Sequence, residues 1–115
     1  MEEIIQMIKD IYELSDELEL ILRRIIRPDV IKKKQKLLRK GQICTRLYFI
    51  EKGLLRLYVK HGDKDHSSWF ILEGDLVTSV TSFFERAPSL ETIEALADCV
   101  LFSIAWQELQ DIYKR

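Results

Sequence analysis

Two short stretches hold the residue types from which a chemical site can be built. The first, His61-Gly62-Asp63-Lys64-Asp65-His66-Ser67-Ser68, gathers imidazoles, carboxylates and hydroxyls, the raw material of a metal centre or a Ser-His-Asp relay. Its spacing argues for a turn instead. Gly62 and Asp63 are turn formers between two strand-like runs, and neither Ser67 nor Ser68 falls on the strand-to-helix elbow that presents a nucleophile. The second stretch begins with the carboxylates Glu73 and Asp75 on either side of Gly74, which read as a turn beside a pocket. It continues through the hydroxyls of Thr78, Ser79, Thr81 and Ser82. Hydroxyls and unpaired backbone N–H groups at a helix start can hold an anion, or the hydroxyls can simply cap that helix; both readings stand.

Charge is segregated along the chain. Residues 1–22 carry seven acids against one lysine, residues 23–40 nine bases against Asp29, and the remainder eleven acids against eight bases, giving block charges of −6, +8 and −3 within a net charge of −1. The middle block, which includes Arg23, Lys32, Lys33, Lys34, Lys36 and Arg39, has the charge to attract phosphate, but it lacks interleaved aromatics for base stacking. It can equally answer the acidic N-terminal segment. Cys44 and Cys99 are too few and too isolated for a disulfide framework or a zinc site, and read as buried thiols. No apolar run approaches the roughly 20 residues of a membrane helix, and the acidic Met1-Glu2-Glu3 start is unlike a secretory signal, so cytoplasm is the expected compartment.

The elements that must position these residues follow from periodicity. In a chain of 115 residues with 47% hydrophobic content, one core is expected. Ile4, Ile5, Ile8, Ile11 and Tyr12 fall at helical spacing over residues 2–13. Leu18, Ile21, Leu22 and Ile25 define a second helix capped by Ser15 or Asp16 and stopped near Arg27 by Pro28. The lysine-rich segment Val30–Leu38 suits an exposed edge strand or a pair of short strands.

Gly41, Gly53, Gly62 and Gly74 then punctuate the strand-like runs Leu47–Ile50, Leu54–Val59 and Ser68–Leu72, which predict an antiparallel meander closing into a small barrel or sandwich. Alternation places Leu55, Leu57 and Val59 on one face of the second run and Arg56, Tyr58 and Lys60 on the other. Trp69 and Phe70 are adjacent, so one of them must be exposed or covered by another element. A short helix or tight loop follows Gly74, with Phe83 or Phe84 facing the core. Two last strands flank a turn at Asp98, and a C-terminal helix starts near Ala105 with Trp106, Leu109, Ile112 and Tyr113 on its apolar face. The predicted architecture is a mainly β, antiparallel β-roll or jelly roll at about residues 30–104, with helices over residues 2–27, a short helix after Gly74 and a helix over residues 105–115.

This order resembles the cyclic-nucleotide-binding domain of Crp/Fnr-type transcription regulators. The resemblance rests on Gly41-Gln42, on Leu47-Tyr48-Phe49-Ile50-Glu51-Lys52-Gly53-Leu54-Leu55-Arg56-Leu57-Tyr58 and on Glu73-Gly74-Asp75-Leu76-Val77, and it spans nearly the whole chain. One turn departs from it: Lys34 stands where the family usually has glycine. The resemblance implies a phosphate-binding cassette after Gly74, in which a Gly-Glu-Leu segment holds the ribose and an Arg-Ser-Ala or Arg-Thr-Ala segment neutralises the cyclic phosphate. Here those places fall on Thr78-Ser79-Val80 and Ser89-Leu90-Glu91, so Ser79 and Ser89 replace the glutamate and the arginine.

The candidate ligand site is therefore Gly74, Thr78, Ser79, Val80, Ser89 and Leu90, with Arg86 as the nearest substitute cation and Glu91 a source of repulsion if it faces the phosphate. The expected ligand is a small anion or nucleotide, with cyclic AMP and cyclic GMP bound weakly or not at all. No cofactor, metal or catalysis is expected. DNA reading and tight dimerisation would belong to a long helix and a DNA-binding domain after the helix at Trp106, which residues 1–115 do not contain, leaving at most weak self-association. The alternatives are a stand-alone interaction module with a decayed pocket and a cupin-like enzyme, which would need metal ligands beyond His61 and His66.

Overall fold

Ser15 starts the second helix as its spacing requires, its Oγ accepting a hydrogen bond from Leu18 N at 3.1 Å. The computed structural model describes residues 2–11, 13–61 and 64–113, without the side chains of residues 11, 60, 61, 64–68, 80, 81 and 113. The helices are α1 (Glu2–Ile11) and α2 (Asp16–Ile25). The second ends before Arg27, short of the expected stop. Ile26 is already extended, and Arg27 pairs with Ser103 in β1 (Arg27–Ile31). Pro28 enforces this, because it disfavours helix at its predecessor, and an edge strand is where a sheet tolerates it.

Seven further strands follow: β2 (Lys36–Leu38), β3 (Arg46–Lys52), β4 (Leu55–His61), β5 (Lys64–Ile71), β6 (Leu76–Val77), β7 (Thr92–Ala95) and β8 (Cys99–Ala105). Helix α3 (Val80–Glu85) interrupts them and α4 (Trp106–Tyr113) ends the described chain. They form two antiparallel four-stranded sheets, ordered β1-β8-β3-β6 and β2-β7-β4-β5. The architecture is the expected β-roll, but the expected meander is not its connectivity. Only β4 and β5 form a hairpin, while β3 lies in the opposite sheet between β8 and β6. The predicted final strands flank the Asp98 turn and likewise enter different sheets.

The chain changes sheet at Gly53. With φ +114°, this residue lies so close to β8 that a Cβ would stand 2.5 Å from Cys99 Sγ and 2.9 Å from Asp98 O, so only glycine fits. Between the sheets, Ile50, Leu55, Ile93, Leu101 and Phe83 are fully buried. The first sheet is covered on its outer face as well, where Phe49, Phe102 and Ile104 meet Ile4, Ile5, Leu22 and Ile26 of the helical layer. That double burial explains why β8 is buried almost without alternation. Glu2 and Glu19 hold Arg23 between them, fastening α1 to α2; Arg23 thus answers the acidic N-terminal segment, while Lys33, Lys34, Lys36, Arg39 and Lys40 stay exposed.

Three side-chain expectations resolve in particular ways. Tyr58 shares a face with Arg56 as alternation expects, but it is buried there, because the Arg56 guanidinium covers its ring at 4.1 Å. Trp69 and Phe70 are both exposed, at 70% and 63%, because β5 is an edge strand with no described element covering it. Phe83 is the phenylalanine that enters the core, and Phe84 is exposed. The turn at Gly62 and Asp63 lies outside the described residues.

Lys34 adopts φ +76°, and its N–H donates to Ala95 O at 2.8 Å, so the family's glycine place keeps its left-handed geometry without the glycine. Left-handed geometry costs an L-residue roughly 1–2 kcal/mol, partly offset by the chain entropy that glycine would lose. Lys34→Gly is therefore expected to stabilise the domain by about 0.5–1 kcal/mol, read as a Tm rise of roughly 2–5 °C by calorimetry. At the sheet crossing the opposite holds. Gly53→Ala combines backbone strain with overpacking against Cys99, and denaturant titration is expected to show a loss of about 3 kcal/mol or outright failure to fold.

Candidate functional site

Ser79 precedes α3 in extended conformation, and its carbonyl accepts from Phe83 N at 2.8 Å, starting the helix. Its side chain makes no cap bond. Ser79 Oγ instead lies 3.0 Å from Ser89 Oγ and donates to Glu91 Oε1 across 3.4 Å. Ser89 is held by its backbone, donating from N to Gln42 O and accepting at O from Gly41 N, both bonds made to the loop before β3. Its Oγ accepts from Glu91 N at 2.9 Å and lies 2.9 Å from Glu91 O, so its single proton serves either that carbonyl or Ser79. Ser79 and Ser89 are 1% and 2% exposed. The two positions that would carry opposite charges thus meet as a buried, mutually bonded pair of neutral hydroxyls.

The neighbouring hydroxyls are also engaged. Ser82 Oγ accepts from Cys44 N at 2.7 Å, and Thr78 Oγ1 lies 3.2 Å from both Arg46 O and Cys44 Sγ. These contacts tie the segment after β6 to the start of β3, and leave Thr78 lining the space above.

That space is a cavity of ≈ 630 Å³ between the edge strands β5 and β6. Leu47, Leu57, Trp69, Phe70, Leu76 and Val77 supply most of its wall. Its polar groups are Thr78, Asp75 and Glu91, and no described residue lining it is basic. Asp75 Oδ2 is occupied by Leu72 N at 2.9 Å. Burial pushes the Glu91 carboxyl above its ordinary value, against the weaker opposing pull of the Ser79 hydroxyl.

Of the six candidate residues, the structure brings together Thr78, Ser79 and Ser89. Leu90 is 71% exposed and does not line the cavity. Gly74 serves the turn, with φ +90° and its N–H donating to Ile50 O at 2.8 Å, while Val80 opens α3 and its side chain lies outside the described atoms. The substitute cation is turned away: Arg86 donates to Cys44 O at 3.1 Å and covers the Trp106 ring at 4.3 Å. Glu73 reaches Gly53 N at 3.4 Å, so Glu73 and Asp75 brace turns and form no catalytic pair.

Sequence reasoning gave Glu91 only a conditional part and left the Trp69-Phe70-Leu76 wall unassigned. The adjacent aromatics of an uncovered strand were the available signal. Cys44 and Cys99 are free and buried. Among the described residues no group of His, Cys, Asp and Glu could hold a metal ion, and the side chains of His61 and His66 are not among those described.

The family model for the cyclic nucleotide-binding domain matches residues 28–115. No curated protein matches the sequence. Among solved structures, the Thermus thermophilus catabolite activator protein is similar with TM-score 0.76 and 18% identity over 90% of this chain and 49% of that one. The N-terminal domain of a transcriptional regulator from Streptomyces coelicolor A3(2) gives 0.72 and 23% over 86% and 69%. The regulatory domain of Toxoplasma gondii PKA, crystallised with cAMP, gives 0.77 and 17% over 87% and 38%. The chain thus spans about half the length of the Thermus protein, and at these identities the likeness is one of fold. With the family model covering the β-roll and the serine pair alike, this chain belongs to the cyclic nucleotide-binding domain family.

Proposed function

We propose that this domain is the ligand-sensing regulatory module of a Crp/Fnr-type transcription regulator whose phosphate-binding cassette has lost its charges. The observation that carries this reading is the Ser79–Ser89 pair: at the two cassette positions a buried hydroxyl bond stands in place of a carboxylate and a guanidinium. A cyclic phosphate in the adjoining cavity would meet the Glu91 and Asp75 carboxylates with no described cation lining the wall. The expectation of a different small anion finds no cation there either. The module acts by binding, not catalysis, and works in the cytoplasm; among the described residues no helix is long and apolar enough to cross a membrane. Specific DNA reading falls to residues outside this domain. Self-association is at most weak, since Trp106 and Leu109 pack against the inter-sheet core and Ile112 against the helical layer, while the Tyr113 side chain is not described.

Loss of the partner of a buried, hydrogen-bonded charge costs on the order of 2–5 kcal/mol, roughly thirtyfold to several thousandfold in affinity. Calorimetry with cyclic AMP and cyclic GMP is therefore expected to show weak or no binding. A micromolar or tighter dissociation constant for either nucleotide, abolished by changes at Ser79 and Ser89, would contradict the reading.

The raised Glu91 carboxyl gives a second check. A group whose folded pKa lies above its unfolded value contributes stability that is complete below the unfolded pKa and lost as pH rises through the folded one. Glu91→Gln, which keeps the shape and removes the charge, is therefore expected to be more stable than the parent at pH 7. The difference should vanish below the carboxylate range, as followed by thermal melts across pH. A variant less stable than the parent at pH 7 would show that ionised Glu91 is held by a partner, not merely desolvated.

A further inference from the structure

The cavity's walls and its charges point to different parts of one ligand. Its apolar wall includes Trp69 and Phe70, two exposed aromatics adjacent in sequence on an edge strand, with Leu76 on the facing edge strand. Burying such surface is favourable for any flat apolar body, and aromatic faces also attract cations. The polar end is different. Glu91 Oε1 has one donor, Ser79 Oγ, at a distance of 3.4 Å that marks a weak bond, and an ionised carboxylate has room for several. Asp75 adds a second acid to the wall, and no described lining residue supplies a base. A neutral occupant would leave the Glu91 carboxylate desolvated with that one weak donor. An anionic occupant would add repulsion. A protonated nitrogen completes the site.

We propose that the cavity binds a small aromatic amine, its ring on Trp69, Phe70 and Leu76 and its ammonium group on the Glu91 carboxylate. This rests on the reading of the cavity as the sensing site, and it names the class of ligand sensed. The Ser79–Ser89 pair then has a positive role. Ser89 Oγ holds Glu91 N, and Ser79 Oγ meets Glu91 Oε1, so the two serines aim the carboxylate that receives the cation. Discrimination comes from charge at one end and from shape at the other, as in pockets where a few polar groups orient a mostly apolar ligand.

The test uses two matched probe sets, phenethylamine with 2-phenylethanol and phenylacetate, and tryptamine with tryptophol and indole-3-acetate. Binding to the full 115-residue chain is followed by protein-observed and saturation-transfer NMR. The expected order is amine over alcohol over acid. The amine should exceed its alcohol by roughly tenfold or more, the scale of a charge-assisted hydrogen bond. Glu91→Gln should remove that preference while leaving alcohol binding in place. Phe70→Ser, at an exposed position, should weaken amine and alcohol together. An acid that binds as well as its amine, an amine preference that survives Glu91→Gln, or two sets that both fail to bind would each overturn the inference. Cyclic AMP is run alongside to separate the two readings. Acid-preferring binding without cyclic AMP leaves the sensor reading standing and removes the amine, whereas micromolar cyclic AMP binding overturns the degenerate-cassette reading itself.

Discussion

The close approach of Gly53 to Cys99 is the constraint on which the rest of the roll depends. At that point the chain leaves one sheet for the other, and the absence of a side chain lets the crossing lie directly against the start of β8. Everything on either side follows from the crossing. β3 can lie between β8 and β6 only if β4 is free to start a separate sheet, and Ile50, Leu55, Ile93 and Leu101 face one another only because that sheet folds over the first. The opposite result appears at the other end, where β5 and β6 are both edges and no described element closes the space between them. A roll tight at Gly53 and open at Trp69 has its cavity placed by topology.

Much of this was legible in the residues. Helical spacing located the N-terminal helices, Ser15 or Asp16 marked the start of the second, with Ser15 the cap in the structure, and the glycine punctuation located the strands. Lys34 is instructive because the sequence showed only a missing glycine; the structure shows that the backbone keeps positive φ there regardless, held by the bond to Ala95. Sheet membership was not legible, because a period of two reports which residues share a face and says nothing about which strand lies alongside. The burial of Tyr58 was not legible either, though the face it shares with Arg56 was. The guanidinium stacked on its ring covers it, and that contact has no local signature.

The site divides along the same line. The serines at 79 and 89 could be read directly, since they concern residue types. Where the surrounding side chains point could not. Leu90, one of the candidate residues, faces outward, while Glu91, its neighbour, lines the cavity because Ser89 Oγ fixes the backbone on both sides of it. Arg86 was near enough in sequence to stand in for the missing cation, yet its left-handed backbone at the end of α3 directs it to Cys44 O and the Trp106 ring. The resulting pocket lies in a roll of the family's fold, and its polar wall carries Asp75 and Glu91 with no described base.

The character of that wall is most directly measured at one atom group. Carbon-detected NMR titration of the Glu91 carboxyl, with and without cyclic AMP, reports both its desolvation and its neighbours. The predicted midpoint lies above the ordinary carboxylate value of about 4.3 and does not move when cyclic AMP is added. A midpoint at or below the ordinary value, or one that rises on adding the nucleotide as an anion settles beside it, would contradict the account.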